Sequence, residues 1–225
     1  MIVVTGASKG LGKAICQRLL TKDIEVFGLA RDVSGIEFPA MRCDVSSHDD
    51  IKEVVKELKR LKVNVSGLIN AAGIAAMNLA VTTPPDKSRK IIETNLLGTI
   101  YCCQLIAPLM IRNRRGAVIN FSTIAVALGL KGESVYAASK AGVEGFTRPF
   151  AREMADFKIN VNCIAPGPIN TDLLKGITES QINNIVSQQI IPKQYSPDSI
   201  CDLVELLLDD RSNSLSGQVL HVGGV

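Results

Sequence analysis

The chain has 225 residues, of which 46% are hydrophobic and 21% charged, and its 25 Lys and Arg against 22 Asp and Glu give a net charge of +3. A chain of this size buries a core without disulfides or a metal, and its composition excludes a disordered segment, a collagen and a coiled coil. The basic excess is too small and too dispersed to indicate nucleic-acid binding.

Membrane and metal signals are weak. No apolar run approaches the roughly 20 residues of a membrane-spanning helix, and the first residues do not resemble a signal peptide, so we expect no membrane association. The six cysteines lack CxxC spacing and there are only two histidines, which argues against a metal site or a Ser-His-Asp hydrolase. We expect free thiols in a cytoplasmic protein.

Short apolar runs alternate with amphipathic helical patterns from one end of the chain to the other. The runs predict strands at residues 2–5, 25–29, 40–43, 67–70, 117–121, 159–164 and 218–221. Helical patterns cover residues 10–20, 51–61, a long region opened by Pro84 and Pro85, a helix begun near Tyr136, and residues 179–189 and 200–207. Pro149 lies inside the helix begun near Tyr136 and predicts a kink or an early end there.

Strands that alternate with helices in this way predict an α/β fold in which crossovers join parallel strands. No low-complexity linker or internal repeat divides the chain. We therefore predict a single doubly wound Rossmann domain over residues 1–225, with a parallel seven-stranded sheet and helices on both faces.

A glycine-rich loop at residues 5–12 joins the first strand to the first helix. Its glycines allow a tight turn and close backbone approach, and the helix N-terminus presents free N–H groups to a pyrophosphate. The G-x-x-x-x-G-K-[ST] loop of nucleotide hydrolases is a rival interpretation. However, Ala7 replaces its first glycine and Ala14 replaces its magnesium-binding hydroxyl.

Five short motifs follow one another along the chain. They are Thr5-Gly6-Ala7-Ser8-Lys9-Gly10-Leu11-Gly12, Asn70-Ala71-Ala72-Gly73, Asn95 in Glu93-Thr94-Asn95-Leu96-Leu97-Gly98, Tyr136-Ala137-Ala138-Ser139-Lys140 and Pro166-Gly167-Pro168-Ile169-Asn170-Thr171. In residue pattern and order they resemble the motifs of the short-chain dehydrogenase/reductases, and the resemblance covers essentially the whole chain. Within that family, the chain is most similar to bacterial 3-oxoacyl-acyl-carrier-protein reductases of fatty acid biosynthesis.

The resemblance implies a nicotinamide dinucleotide cofactor and no metal. The residues expected to bind its pyrophosphate and adenosine are Gly6, Ser8, Lys9, Gly10, Leu11, Gly12, Asp44 and Val45. Those expected along the rest of the cofactor are Asn70, Ala71, Gly73, Tyr136, Lys140, Pro166, Gly167, Ile169 and Thr171. Residues 172–197 would form a variable segment that covers the substrate.

Two basic residues and a missing carboxylate favour NADP(H) over NAD(H). Family members that prefer NAD carry an Asp after the second strand, where this chain has Ala30. Arg31 follows at the next position and Lys9 lies in the glycine loop, and both can bind a 2′-phosphate. Asp32 could instead pair with Arg31.

Tyr136 and Lys140 share one helix face, one turn apart. We expect the Lys140 ammonium to lower the pKa of Tyr136 toward neutral pH, so that the phenol can give its proton to a carbonyl oxygen. The resemblance implies three further roles: Lys140 hydrogen-bonds the nicotinamide ribose, Asn95 holds a water that links Lys140 to solvent, and a hydroxyl orients the substrate. Thr123 is expected in that last role, with Ser122 as the alternative.

These residues predict an NADPH-dependent oxidoreductase that reduces a carbonyl to an alcohol, with a 3-oxoacyl thioester as the favoured substrate. The alternatives are a sugar, polyketide or steroid-like ketone as substrate, a non-catalytic NADP-binding regulator, and a nucleotide hydrolase. Arg112, Arg114 and Arg115 either receive an acidic acyl carrier protein or complement the dipole of their own helix. We expect a homo-oligomer, either a dimer or a tetramer.

Overall fold

Seven strands form one sheet in the structure, a computed structural model that describes residues 1–171 and 178–225. They are β1 (Ile2–Thr5), β2 (Val26–Ala30), β3 (Ala40–Arg42), β4 (Gly67–Asn70), β5 (Gly116–Phe121), β6 (Ile159–Pro166) and β7 (Val219–Val222). The order across the sheet is β3-β2-β1-β4-β5-β6-β7, and all neighbours are parallel. The predicted parallel seven-stranded sheet is confirmed, with every strand end within two residues of its predicted position.

Helices pack on both faces of this sheet. Within the described part of the chain they are α1 (Gly10–Leu20), α2 (His48–Arg60), α3 (Pro85–Ile92), α4 (Gly98–Ile106), α5 (Pro108–Ile111), α6 (Ala125–Leu128), α7 (Ser134–Ala155), α8 (Glu179–Ser187) and α9 (Pro197–Leu208). The predicted helix 179–189 therefore ends two residues early. Of the predicted variable segment 172–197, residues 172–177 lie outside the described residues.

The core consists of two hydrophobic clusters, one on each face of the sheet. Val3 of β1 belongs to one cluster and its neighbours Ile2 and Val4 to the other, because successive strand side chains point to opposite faces. The first cluster includes Ile51 of α2, Cys102 of α4 and Phe150 of α7, and the second includes Ile15 of α1 and Ile200 of α9. This double packing fixes the helices against both sides of the strands.

Strand order reverses between β1 and β4. Thr5, the last residue of β1, pairs with Leu29 of β2 on one side and with Asn70 of β4 on the other. The chain leaves β1 and β4 at the same edge of the sheet, because the strands are parallel. In doubly wound folds ligands bind in the crevice outside the carboxyl ends of the strands at such a reversal.

One long helical segment changes its winding part-way. The chain is helical from Pro85 to Ile111, with a π-helical turn at Glu93–Leu97 between α3 and α4. By length and mean hydropathy (1.4) this segment could cross a membrane, a property that inspection of apolar runs alone did not predict. However, 44% of its most apolar window is buried inside the fold, and Ile106 and Met110 are core residues. These contacts are those of a helix that packs on a sheet.

Helix α7 continues through Pro149 and ends at Ala155, so the predicted early end at the proline is wrong. Pro149 itself is exposed, whereas Val143, Thr147 and Phe150 around it are buried. The missing N–H therefore lies on the solvent side of the helix. Burial of the inner face stabilises helical backbone on both sides of it.

Candidate active site

The glycine loop between β1 and α1 forms an anion-binding turn. Gly6 and Gly10 have positive φ angles of 71° and 56°, which residues with a Cβ adopt only under strain. A Cβ on Gly12 would collide with the carbonyl oxygen of Gly6, so this glycine lets the helix start directly against the loop. Lys9 precedes α1 in extended conformation, without a side-chain cap, and the first turn contains no acidic residue. Its free N–H groups are therefore available to a phosphate.

A cleft of about 460 Å³ runs along the carboxyl edge of the sheet from this loop. It brings together most of the residues predicted to bind the cofactor: Gly6, Ser8, Lys9, Gly10, Leu11, Gly12, Arg31, Asp44, Val45, Ala71, Gly73, Tyr136, Lys140, Pro166 and Thr171, together with Ser122. Further lining residues that the sequence did not single out include Ala30, Ser34, Cys43, Ile74 and Thr94. The cleft therefore joins the phosphate loop to the Tyr136–Lys140 pair.

Two cations line the cleft. Arg31 follows β2 and Lys9 lies in the glycine loop, and the lining also includes Ser34, whose hydroxyl the sequence reasoning missed. Asp32 accepts hydrogen bonds from the backbone N–H of Ser34 at 2.9 Å and from its hydroxyl at 2.6 Å. These bonds lower the pKa of Asp32, and among the described residues no carboxylate forms an ion pair with Arg31. The pairing of Asp32 with Arg31 that the sequence left open is not formed.

Tyr136 and Lys140 lie on α7, one turn apart, and are only 8% and 5% exposed. Burial raises the pKa of Tyr136 strongly; the nearby Glu133 carboxylate raises it further, and hydrogen bonding with Thr123 opposes both effects. The net shift of the Tyr136 pKa is therefore upward, whereas the sequence predicted a shift toward neutral pH. Burial instead lowers the pKa of Lys140 to about 8, and its ammonium donates a 2.8 Å hydrogen bond to the carbonyl of Phe121.

The two candidate orienting hydroxyls at the end of β5 have different partners. Ser122 donates a 2.5 Å hydrogen bond to Glu144 of α7, which commits its proton to that carboxylate. Thr123 lies beside the Tyr136 phenol and accepts a hydrogen bond from the backbone N–H of Ala125 at 3.2 Å. The Thr123 hydroxyl can therefore donate its proton either to the Tyr136 oxygen or to a ligand oxygen placed beside it.

Asn95 is fully buried at the π-helical turn and lines neither cavity of the site. Its Oδ1 accepts from the N–H of Ile74 at 2.8 Å, and its Nδ2 donates to the Ile74 carbonyl at 2.9 Å and to Ser139 at 3.0 Å. A Cβ on Gly73 would lie 3.4 Å from Oδ1 of Asn95 and 3.5 Å from Nζ of Lys140. Asn95 is thus a neighbour of Lys140 that also ties α7 to the segment after β4.

A smaller cavity of about 120 Å³ opens next to the cleft. The two share the wall residues Leu11, Ser122, Tyr136, Pro166 and Thr171. The smaller cavity is also lined by Thr123, Gly167 and Ile169. Gly167 and Ile169 were predicted to lie along the cofactor, but in the structure they line the smaller cavity and not the cleft. Its other lining residues are Ala75, Ile124, Leu130, Glu133, Pro168 and Ile185.

The side chain of Asn70, which was predicted to bind the cofactor, does not line the cleft in this structure. It is 2% exposed. Nδ2 donates to Oδ1 of Asn120 at 2.8 Å, and Asn120 in turn donates to Thr147 at 3.0 Å. Asn70 therefore connects β4 through β5 to α7, because its side chain points into the layer between sheet and helix rather than over the strand end.

The family of the chain follows from comparison with known proteins. A family model described as short chain dehydrogenase matches residues 1–182. The chain belongs to the short-chain dehydrogenase family. Membership makes it an oxidoreductase of the CH–OH/C=O type with a nicotinamide cofactor, and it removes the nucleotide hydrolase from consideration.

Individual short-chain dehydrogenases are similar to this chain over nearly its whole length. A 3-oxoacyl-[acyl-carrier-protein] reductase, FabG, of Staphylococcus epidermidis is 34% identical, and the alignment covers 99% of this chain and 96% of that protein. Carbonyl reductase family member 4 of Xenopus tropicalis is also 34% identical, with 98% and 95% covered.

Solved structures of short-chain dehydrogenases superpose closely. Ligand-free aldohexose dehydrogenase of Thermoplasma acidophilum gives a TM-score of 0.89 at 27% identity, with 99% of this chain and 92% of that chain covered. A 4-hydroxyisoleucine dehydrogenase mutant complexed with NADH and succinate gives 0.91 at 25% identity, with 99% and 97% covered. The Rossmann fold of the family is confirmed.

The arginines considered for carrier-protein docking lie away from the cleft. Arg112, Arg114 and Arg115 precede β5 at the amino edge of the sheet, whereas Ser122 and Thr123 follow its carboxyl end. Arg115 pairs with Asp210 at 2.7 Å, and Arg114 donates to the carbonyl of Asp156 at 2.9 Å. Two of the three arginines therefore stabilise this chain itself, which weakens the docking interpretation.

Proposed function

We propose that this short-chain dehydrogenase reduces the ketone of a 3-oxoacyl thioester to an alcohol with NADPH, residues 1–225 acting as one cofactor-binding domain. The observation that carries the proposal is the position of Tyr136. Its phenol lies in the wall shared by a dinucleotide-sized cleft and a small, mainly apolar cavity. A carbonyl group in the small cavity would contact that hydroxyl and face the cleft at the same time.

The raised pKa of Tyr136 keeps its proton in place at neutral pH. In the proposed reaction, the Thr123 and Tyr136 hydroxyls donate hydrogen bonds to the carbonyl oxygen. The carbonyl carbon would accept a hydride, the chemistry that a reduced nicotinamide bound in the cleft would supply. The carbonyl π bond breaks, the oxygen takes the phenolic proton, and the alcohol leaves; the proton returns to Tyr136 from solvent.

Lys140 and Asn95 support the proton transfer from Tyr136 without contacting the carbonyl compound themselves. The buried ammonium of Lys140 would stabilise the negative charge that forms on Tyr136 when its proton leaves. Its lowered pKa of about 8 means that it can also exchange a proton near neutral pH. Asn95 holds Ser139 and Ile74 around that ammonium and provides a polar environment for a connecting water.

The residues of the cleft fit NADP(H). An uncapped N-terminus of α1 receives the pyrophosphate, and Asp44 and Val45 line the part expected to receive the adenine. At the ribose end, the guanidinium of Arg31 and the ammonium of Lys9 offer two positive charges to a 2′-phosphate. Ser34 adds a hydroxyl, and Asp32 is held by that same residue instead of neutralising Arg31.

The size and polarity of the smaller cavity support a short acyl chain. Its 120 Å³ is well below the 300–1,000 Å³ typical of drug-sized ligands, and its lining is largely aliphatic and proline side chains. The FabG relatives at 31–34% identity support a 3-oxoacyl thioester, carried on an acyl carrier protein. A sugar ketone is the second candidate because an aldohexose dehydrogenase shares the fold closely.

Location and assembly belong to the same proposal. All six cysteines are free and buried, which suits the reducing cytoplasm. Val81 and Ile190 are 92% and 73% exposed, and apolar side chains of this size in contact with water favour burial against another copy. We therefore retain the homo-oligomer as the proposed assembly.

Oxidation of reduced cofactor with acetoacetyl thioester and a panel of ketones tests the function directly. Wild type should oxidise NADPH in preference to NADH with at least one 3-oxoacyl thioester. Tyr136→Phe removes the proton donor and should lower kcat/KM by about 10²–10⁴-fold while NADPH affinity changes little. Tyr101→Phe is the control, because Tyr101 is a half-buried tyrosine of α4 outside both cavities.

Two results would contradict the proposal. Equal activity of Tyr136→Phe and Tyr101→Phe would remove Tyr136 as the acid. Tight NADPH binding without turnover of any ketone would favour the alternative of a non-catalytic NADP-binding regulator.

A further inference from the structure

Glu133 brings a carboxylate into the smaller cavity. It immediately precedes α7 and lies three residues before Tyr136, so one helical turn places both side chains on the same side. Both residues line the cavity, and the carboxylate is near enough to the phenol to act on its pKa. None of the five sequence motifs contains this position.

The surroundings of this carboxylate are otherwise apolar. Among the described residues that line the cavity, Glu133 is the only one that carries a charge, and aliphatic or proline side chains such as Ile124, Leu130 and Ile185 dominate the rest. No cation and no side-chain donor in the described part of the chain bonds to its carboxyl group. Burial raises its pKa, the expected direction when water is removed and no partner replaces it.

A carboxylate in such a cavity, with no partner among residues 1–171 and 178–225, discriminates between substrates by charge. A second carboxylate brought within a few ångströms meets repulsion, and a half-buried site beside apolar side chains screens that repulsion less than bulk water does. A neutral ester or amide meets no such repulsion. A hydroxyl, amide N–H or ammonium can donate a hydrogen bond to Glu133 and satisfy it.

We propose that Glu133 is a specificity-determining residue that excludes free 3-oxo acids and admits their neutral esters, thioesters and amides. The inference rests on the proposed function, since it assumes that the smaller cavity takes the carbonyl compound. It specifies the substrate further: the acid must arrive already esterified, so a reaction that forms an acyl thioester must precede this one. Ketones with a donor group next to the carbonyl are favoured for the same reason.

Kinetics with acetoacetate and its methyl ester test the inference at pH 8, a pH that favours the ionised form of a carboxyl group. Wild type should prefer the ester, and Glu133→Gln should raise the ratio of kcat/KM for acetoacetate to kcat/KM for the ester at least tenfold; the ratio is the readout because the substitution can change Tyr136 for both substrates alike. Glu133→Asp keeps the charge and should keep the preference. Glu153→Gln, on the exposed far end of α7, is the control and should match wild type.

Binding provides a readout that does not depend on turnover. Ligand-observed NMR with NADP⁺ present compares 3-hydroxybutyrate with its methyl ester in wild type and Glu133→Gln. A selective gain of at least tenfold in affinity for the anion in Glu133→Gln supports the inference. Equal anion affinities in the two proteins overturn it, whether or not any ketone is reduced. Absence of ketone reduction with a selective gain in anion binding refutes the proposed function alone.

Discussion

The hydroxyl of Tyr136 and the ammonium of Lys140 lie in the same buried region, with opposite effects on their acidity. Removal of water disfavours whichever form is charged, so it raises the pKa of the phenol and lowers that of the amine. The protein therefore holds Tyr136 as a neutral acid, which is the state needed to reduce a carbonyl. In the reverse reaction, the oxidation of an alcohol, the same hydroxyl would have to accept a proton and so would first have to lose its own.

Arg31 is the residue through which cofactor choice can be tested. In the proposed complex Arg31→Ala would remove a charge-assisted hydrogen bond to the 2′-phosphate, so the Kd of NADPH should rise about ten- to hundredfold. NADH lacks that phosphate, and its Kd should change by less than about threefold. Titration of protein fluorescence or calorimetry with both cofactors measures the difference.

Arg42→Ala provides the matched control for Arg31→Ala. Arg42 is exposed at the end of β3 and does not line the cleft, so its removal changes the net charge equally without removing a contact. An equal loss of NADPH affinity in both variants would assign the effect to overall charge. An unchanged Kd in Arg31→Ala would refute the role of Arg31.

At the residue scale, motif spacing predicts which side chains reach the site better than it predicts their contacts. Tyr136, Lys140 and the loop glycines are where the motifs place them, because each belongs to a regular element of known pitch. The side chain of Asn70 does not line the cleft, because its orientation at the end of β4 depends on its hydrogen bond to Asn120 across the sheet. Glu133 was missed for a related reason: only the packed fold reveals which residues surround a cavity.

Among the elements, α7 contains an internal proline without ending there. Pro149 donates no N–H to the carbonyl of Gly145, four residues earlier, and its ring crowds that turn. The helix persists because its inner face, with Thr147 and Phe150, is buried against the core. Tertiary packing thus outweighs a local helix breaker.

Pro149→Ala should therefore stabilise the protein. Alanine restores the helical hydrogen bond, and because the position is exposed it leaves no cavity. We expect the free energy of unfolding to rise by about 2 kcal/mol, after allowance for the greater entropy of the unfolded alanine chain. Urea unfolding measures this free energy. Arg148→Ala is the control, because Arg148 is the exposed neighbour of Pro149 in the same helix. A Pro149→Ala protein no more stable than Arg148→Ala would contradict this account.

Element positions were largely predictable from the sequence, whereas element irregularities were not. Apolar runs located all seven strands because buried parallel strands need near-continuous hydrophobic residues. The π-helical turn at Glu93–Leu97 was not predictable, because one extra residue in a turn leaves the apolar periodicity almost unchanged. The passage of α7 through Pro149 depends on packing that the local sequence does not contain.

For the whole molecule, six buried thiols set a limit on alkaline stability. Burial raises the pKa of Cys16, Cys43, Cys103 and Cys163 from 9 to about 12, and that of Cys201 to about 11; burial also raises the pKa of Cys102 well above 9. Unfolded thiols release protons above about pH 9, whereas the folded ones keep them, so stability is lost as pH rises from 9 to 12. Lys140 acts in the opposite direction above pH 8, but it is a single group.

The free energy of unfolding should fall by several kcal/mol between pH 8 and pH 10. Each thiol contributes about 1.4 kcal/mol to this fall at pH 10, because pH 10 is about one unit above the pKa of the thiol in the unfolded chain. Urea unfolding in reductant at both values measures the loss. In Cys16→Ala the fall should be smaller by about that one contribution, and an unchanged stability in wild type would contradict the prediction.

The common wall of the cleft and the smaller cavity has a thermodynamic consequence. Leu11, Ser122, Tyr136, Pro166 and Thr171 border both spaces, so a molecule in one forms part of the boundary of the other. Dinucleotide and carbonyl compound therefore cannot bind independently. If bound dinucleotide changes the affinity for the carbonyl compound by some factor, bound carbonyl compound must change the affinity for the dinucleotide by the same factor. This reciprocity ties the occupancy of the two ligands together.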